Sequence, residues 1–222
     1  MQEDHKQTTV ECPNCGFEVI TDITTTIRPG DQALTDLFNG DLNNVVCNQC
    51  AQDFLYETPL IFKSENDDFV IYFNPVIDPS EWQEAEEQMQ KALSFSLEAL
   101  EPEDRPECRL TLTRNDFIEK IALCIADLDD KIIEYLKFHI YKQEAGYDPA
   151  TQMLLYDFSR SDNKILEFSV LDTAKGKVIQ NTQTPIEALD QMKELLEADD
   201  CPIDLDEIFG GLYVQVGKIL QR

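Results

Sequence analysis

Cys12-Pro13-Asn14-Cys15-Gly16 and Cys47-Asn48-Gln49-Cys50 place two Cys-x-x-Cys pairs in one chain. Each such pair sets two sulfurs on one side of a tight turn, and a second turn across a β-hairpin completes a tetrahedron of thiolates around a metal. The pattern predicts one Zn²⁺ held by Cys12, Cys15, Cys47 and Cys50. Its role is expected to be structural, because four sulfur ligands leave no position open for water or substrate. Pro13 presets φ inside the first turn, and Gly16 can take the positive φ that aims a backbone N–H back at a sulfur. The second turn departs from this pattern, with Asn48 where the proline stands and Ala51 where the glycine stands.

Working outward, the gap from Gly16 to Val46 is longer than the ~15–20 residues of a simple zinc ribbon, so an insert is expected. Phe17 to Ile27 reads as a Thr/Val/Ile-rich strand, broken by Arg28-Pro29-Gly30. Next comes a two-turn helix capped by Asp31, with Ala33, Leu34, Leu37 and Phe38 on one face and Asn39-Gly40 as its stop. After the second pair, Phe54 to Lys63 and Phe69 to Phe73 read as strands around the polar turn Ser64 to Asp68.

The same cysteines admit three other readings. A thioredoxin-like redox pair needs its Cys-x-x-Cys at a helix start, whereas Phe17 onward reads as strand. Two structural disulfides need an oxidising compartment, and no apolar signal-like run opens this sequence, so a reducing, cytoplasmic setting is expected. Iron bound as in rubredoxin would use the same four thiolates and stays open beside zinc.

The Cys-Pro-x-Cys pair, the segment Leu37-Phe38-Asn39-Gly40-Asp41-Leu42, the second Cys-x-x-Cys and the strand Val70-Ile71-Tyr72-Phe73 before Pro75 together resemble the bacterial CpXC domain family. The stretches Arg114 to Ile121 and Leu128 to Glu134 are similar to the later segment of such proteins. The resemblance implies a zinc-binding domain over roughly residues 10 to 140. It supplies ligands and no reaction.

The chain has 18 basic against 44 acidic residues, a net charge of −26, and 42% apolar residues in a length of 222. That length suits one large or two small domains. No run approaches the ~20 apolar residues of a membrane span, so a soluble protein is expected. Arg28 is the single cation from Gln7 through Phe62, and without a Lys/Arg stripe to displace counterions a nucleic-acid partner is disfavoured. The acidic field suits a basic protein partner or a mimic of nucleic acid, and its simplest reading is a solvated, highly soluble surface.

The second half reads as separate α+β structure. Asp78 or Ser80 is expected to cap a helix whose Trp82, Ala85, Met89, Leu93 and Leu97 recur at helical spacing, with Pro79 in its first turn. The charged stretch Glu101 to Glu107 breaks it and marks the expected domain boundary. Cys108 to Leu112 alternates as a strand, and Thr113 with Asp116 forms a capping-box pattern for a helix through Phe117, Ile121 and Ile125. A second helix carries Ile132, Ile133, Leu136 and Ile140 and is expected to stop near Ala145-Gly146. Met153 to Phe158 and Ile165 to Leu171 form a hairpin pattern, with Lys177 to Asn181 as a third strand. Thr184-Pro185-Ile186-Glu187 opens a further helix with a capping box. Cys201 to Arg222 stays open between helix and strand.

Other chemistry is thin. Asp127, Asp129 and Asp130 lack the alternate oxygens and glycine of an EF-hand loop and read as helix caps. His5 lies in a polar tail, His139 lies within a helix, and neither has a catalytic neighbour pattern. Cys108, Cys124 and Cys201 stand on apolar stretches and read as small core residues. No glycine-rich phosphate loop occurs at Gly176 or Gly210-Gly211.

The expected fold class is thus α+β. A zinc-ribbon-like antiparallel β domain with a helical insert covers 1–77, a helix and acidic linker cover 78–107, and an α+β domain covers 108–222. The expected function is a binding or adaptor module. An enzyme, using either thiol redox at the Cys-x-x-Cys pairs or a site between the domains, is the alternative.

Overall fold

The computed structural model describes residues 5–75, 79–143, 147–198 and 200–220. The chain is α+β and divides into two units, Met1–Ile118 and Glu119–Arg222, with the division inside one helix. The expected boundary at 77/78, the Asp78 cap and the Ala145-Gly146 stop lie outside the described residues.

In the first unit, β1 (His5–Glu11) pairs antiparallel with β2 (Glu18–Thr24) in a fully matched register from His5↔Thr24 to Glu11↔Glu18. The β-branched Thr, Val and Ile residues of both strands suit this pleated ladder. His5, expected in a tail, therefore begins a strand. The expected strand from Phe17 to Ile27 splits here, because β3 (Thr26–Ile27) leaves the hairpin and pairs parallel with β6 (Leu60–Lys63). The insert comes next as α1 (Gln32–Asn39), ended by Gly40 at φ 82°, whose left-handed backbone lets its N–H return to the last turn. Asp31 stands at the start of α1 as expected but does not cap it, since its carboxylate accepts from the Arg28 N–H at 2.8 Å. The second hairpin pairs β4 (Asn44–Val46) with β5 (Asp53–Leu55). The Asn43 side chain ties the hairpins together. It accepts from the Thr24 N–H and donates to the Thr24 carbonyl, each at 2.9 Å.

Among the described residues the remaining strands of this unit form a sheet in the order β3-β6-β7-β8, where β7 is Phe69–Phe73 and β8 is Glu107–Thr111. β6 and β7 are antiparallel, while the two outer pairings are parallel. β8, expected to open the C-terminal domain, instead joins β7 through Val70↔Cys108 and Tyr72↔Leu110. The helix α2 (Trp82–Leu97) lies between them in sequence and buries Ala85 and Leu93. It provides the crossover that a parallel neighbour requires. A short 3₁₀ turn, Pro79–Glu81, precedes α2, and Glu81, not Ser80, stands at the cap position of the helix. Thr113 does cap α3 (Arg114–Ile125), its hydroxyl accepting from the Asp116 N–H at 3.1 Å. Phe117 then stacks on Phe73 with ring centroids 5.6 Å apart.

The second unit packs the end of α3, α4 (Asp130–Gln143) and α5 (Ile186–Leu196) with an antiparallel sheet in the order β11-β10-β9. These strands are β9 (Gln152–Tyr156), β10 (Ile165–Asp172) and β11 (Lys177–Pro185). Leu123, Ile133, Leu154, Leu166, Phe168 and Leu189 share its core. Burying each such side chain contributes about 1.5–3 kcal/mol. The capping box expected at Thr184 does not form, because Thr184 still pairs with Leu166 in β11 and the strand runs directly into α5. The open C-terminal segment resolves into α6 (Leu205–Ile208), capped by Asp204, and α7 (Gly217–Leu220), with Tyr213, Val214 and Val216 buried between them.

A chain of alternating charge runs through this core. Glu119, Lys137, Glu134, Lys120 and Asp130 are all buried. Lys137 Nζ lies 2.7 Å from Glu119 and 3.0 Å from Glu134, and Lys120 Nζ lies 3.2 Å from Glu134 and 3.0 Å from Asp130. Two distant backbone N–H groups complete the carboxylates. Tyr156 donates to Glu119 at 2.5 Å, and Val216 donates to Glu134 at 2.8 Å. Three acids face two lysines, and burial, with the neighbouring Glu134, raises the Glu119 carboxyl in spite of Lys137. Asp130 sits in the first turn of α4, where the helix dipole favours an anion.

Burial alone would raise the Glu134 carboxyl, but the Lys120 and Lys137 ammoniums and the Val216 N–H hold it below its ordinary 4.5. A carboxyl lowered on folding stabilises fully above its unfolded value and loses that contribution as pH falls through its folded value. The stability of the second unit, read by urea unfolding with amide exchange, should therefore fall as pH drops below about 4.5. Glu134→Gln should flatten that acid limb, and an unchanged limb would refute the assignment.

Candidate metal centre

Each Cys-x-x-Cys occupies the end of a hairpin. Residues 12–17 close β1 onto β2 between the paired Glu11 and Glu18, and residues 47–52 close β4 onto β5 between the paired Val46 and Asp53. The two loops have the same length and the same bonds. Gly16 N–H donates to the Cys12 carbonyl and Ala51 N–H to the Cys47 carbonyl, both at 2.9 Å. Cys12 N–H donates to the Phe17 carbonyl at 2.9 Å, and Cys47 N–H donates to the Gln52 carbonyl at 2.8 Å. Gly16 has φ 71° and Ala51 has φ 57°.

The second turn therefore keeps the geometry that its sequence departs from. Ala51 takes the left-handed conformation that glycine adopts without penalty, and the two backbone bonds that close the turn form without the proline. A left-handed alanine stores about 1–2 kcal/mol of strain. Ala51→Gly should relieve it, offset in part by the freer unfolded chain, for a net gain of about 0.5–1 kcal/mol. A thermal melt of the metal-loaded protein that moves down rather than up would contradict this account.

The turns bring together all four cysteines read from the sequence. Their Sγ atoms lie within 4.8 Å of one another, and among the described residues they form the one group of His, Cys, Asp or Glu side chains that could hold a metal ion. Cys12 Sγ is 3.7 Å from Cys50 Sγ, and Cys15 Sγ is 3.6 Å from Cys47 Sγ. These are contact distances, far longer than the ~2.05 Å of a disulfide. Cys12 and Cys47 are buried in a small core with Val19, Ile23 and Val45, while Cys15 and Cys50 are exposed. Asn14 Nδ2 donates to Cys50 Sγ at 3.5 Å, and the Gln49 N–H donates to Cys47 Sγ at 3.4 Å.

The family model for CpXC proteins matches residues 10–137. The chain belongs to the CpXC family. No curated protein and no solved structure matches it. The CpXC match spans both metal-site turns and the whole of the charged chain from Glu119 to Lys137.

Electrostatics around the CpXC cysteines favour a cation. The Asn14 amide and then the Gln52 N–H pull the Cys50 thiol down to about 6. The Phe17 N–H lowers the Cys15 thiol, yet burial and the sulfurs of Cys50, Cys47 and Cys12 carry it up to about 12. The Cys50 sulfur takes a negative charge readily, and the Cys15 thiol beside it then keeps its proton. A divalent cation removes that mutual penalty and lets all four sulfurs ionise.

The remaining candidates fall elsewhere. Cys108 is buried in β8, and burial pushes its thiol up. Cys124 and Cys201 are half-buried and stand outside the metal-binding group. His139 lies edge-on to Tyr135 and Phe138, with centroids 4.7 and 5.7 Å away. Asp129 caps α4 as expected, accepting from the Lys131 and Ile132 N–H groups at 2.8 and 3.3 Å. Asp130, expected to cap beside it, instead pairs with Lys120. The sequence carries a signal for this. Asp130, Glu134 and Lys137, spaced by four and three, share one side of α4 beside its apolar stripe. No helix among the described residues is long and apolar enough to cross a membrane.

Proposed function

We propose that the cluster of Cys12, Cys15, Cys47 and Cys50 holds one structural Zn²⁺, and that the hairpins it joins serve as a binding or adaptor module for a basic protein. The four sulfurs gathered from two equivalent turns carry this reading. A tetrahedron with metal–sulfur bonds of about 2.3 Å has edges of about 3.8 Å, close to the two short sulfur contacts. All four positions are taken by sulfur, so the metal would fold the site rather than activate water. The net charge of −26 supports a basic partner drawn by long-range attraction. A cytoplasmic setting belongs to the same reading, since thiolate ligands persist where disulfides are disfavoured.

Elemental mass spectrometry of untagged protein, with a thiol count before and after chelation, tests the metal. One zinc per chain and four additional reactive thiols after its removal are expected. Iron with visible absorbance, or no metal at all, would overturn the zinc assignment. Affinity capture tests the partner. Recovery of one basic protein, released as salt rises, supports an electrostatic adaptor. Capture indifferent to salt contradicts it.

A further inference from the structure

Two sulfur contacts cross from one turn to the other, inside a cluster whose four sulfurs all lie within 4.8 Å of one another. Cys12 meets Cys50 at 3.7 Å, and Cys15 meets Cys47 at 3.6 Å. Each contact joins one buried sulfur to one exposed sulfur, because Cys12 and Cys47 are buried while Cys15 and Cys50 are exposed. An oxidant arriving from solvent thus meets Cys15 or Cys50 first, and a sulfur of the opposite turn already lies against it.

We propose that the centre is a reversible oxidation site, at which hydrogen peroxide converts the four metal-bound thiolates into two cross-turn disulfides, Cys12–Cys50 and Cys15–Cys47, and ejects the metal. This rests on the metal reading above. In each half-reaction the exposed thiolate attacks the peroxide O–O bond, giving a sulfenic acid and hydroxide. The facing thiolate then displaces hydroxide from the sulfenic sulfur to form the disulfide. In total, four thiolates and two peroxides give two disulfides and four hydroxides, with the divalent cation released unchanged in oxidation state. Closing each bridge needs the sulfurs to approach only from contact distance to about 2.05 Å.

The pairing matters for the fold. Disulfides within each Cys-x-x-Cys would leave the hairpins without a covalent link. The cross-turn pairs span 38 and 32 residues and join one hairpin to the other, as the metal does. The oxidised, metal-free form therefore keeps both hairpins, whereas the chelated, reduced form loses them.

The test treats the full-length, metal-loaded protein with two equivalents of hydrogen peroxide. Released metal is read with a colorimetric chelator, disulfides by non-reducing peptide mapping, and the hairpins by amide exchange over 5–24 and 44–55. Expected are one metal released, both cross-turn peptides, retained protection in the two hairpins, and full recovery with dithiothreitol and metal. Cys12–Cys15 and Cys47–Cys50 peptides, irreversible sulfinic products, or retained metal would each overturn the proposal. If the isolated protein carries no metal, that result alone defeats the metal reading. Mapping the oxidised apo-protein then still decides the pairing.

Discussion

Cys12→Ser is expected to abolish stoichiometric metal binding and to melt the two hairpins. Their shared core is small: Val19, Ile23 and Val45 with the two cysteines Cys12 and Cys47, flanked by Phe54 and Tyr56. So few apolar side chains cannot offset the ordering cost of two hairpins, and isolated two-stranded hairpins are marginal in water. Structural zinc contributes about 10–16 kcal/mol to small metal-folded peptides, more than the three aliphatic side chains of this core supply at about 1.5–3 kcal/mol each, so a variant that no longer binds metal loses the larger share of what holds the hairpins. The effect should stop short of the neighbouring sheet. β6, β7 and β8 bury Leu60, Phe62, Ile71, Phe73 and Leu110 and have their own apolar support. Amide exchange on the variant should show lost protection over 5–24 and 44–55 and retained protection over 60–73 and 107–111. Cys50→Ser should behave alike, although Cys50 is exposed, because coordination rather than burial is what it supplies. Unchanged exchange in both variants would show that the hairpins hold without metal.

Lys137→Met is expected to destabilise the second unit by about 3–5 kcal/mol, the usual result of removing one partner from a buried ion pair. Lys137 is the lysine that bridges Glu119 and Glu134, and both carboxylates are buried to 2% exposure or less. Removing it leaves Glu119 holding the Tyr156 N–H but without the ammonium that faced it. Burial lowers the Lys137 amine, but Glu119 and Glu134 outweigh it and hold the amine above its ordinary value. Methionine keeps most of the length and the apolar stem, so the loss reads charge rather than packing. Adding Glu119→Gln to Lys137→Met should return a large part of the stability, because the orphaned charge is gone. Denaturant midpoints for the two single variants and the double variant give the coupling directly. Additive losses would mean that the alternating chain does not act as a unit.

The two cysteine turns were legible because each is local. A Cys-x-x-Cys turn is specified by six consecutive residues, and its hydrogen bonds close within them. The helical insert was legible for the same reason, with its apolar face and its Gly40 stop inside ten residues. The structure departs from local pattern where a distant partner or a competing local bond decides the outcome. Asp31 and Thr184 had the right residue types to cap helices. The Arg28 N–H claimed the Asp31 carboxylate, and pairing with Leu166 kept Thr184 in a strand. β8 looked like the start of a new domain because a helix and an acidic stretch precede it. Its apolar face instead continues the surface of β7, and parallel pairing hides that from any local reading.

By itself, then, the sequence determined the four cysteines of the cluster, the two tight turns, the apolar faces of the helices and the acidic field, all properties of residues near one another or of the chain's composition. Tertiary structure decided three other things. It gathered the sulfurs of the two turns to within 4.8 Å of one another. It placed β8 beside β7. It drew Glu119, Lys120, Asp130, Glu134 and Lys137 into one buried chain, closed by N–H groups from Tyr156 and Val216. The physical reason is common to all three. A buried charge, a two-stranded hairpin or an unpaired strand edge is unfavourable alone, and only partners brought from far along the chain make it stable.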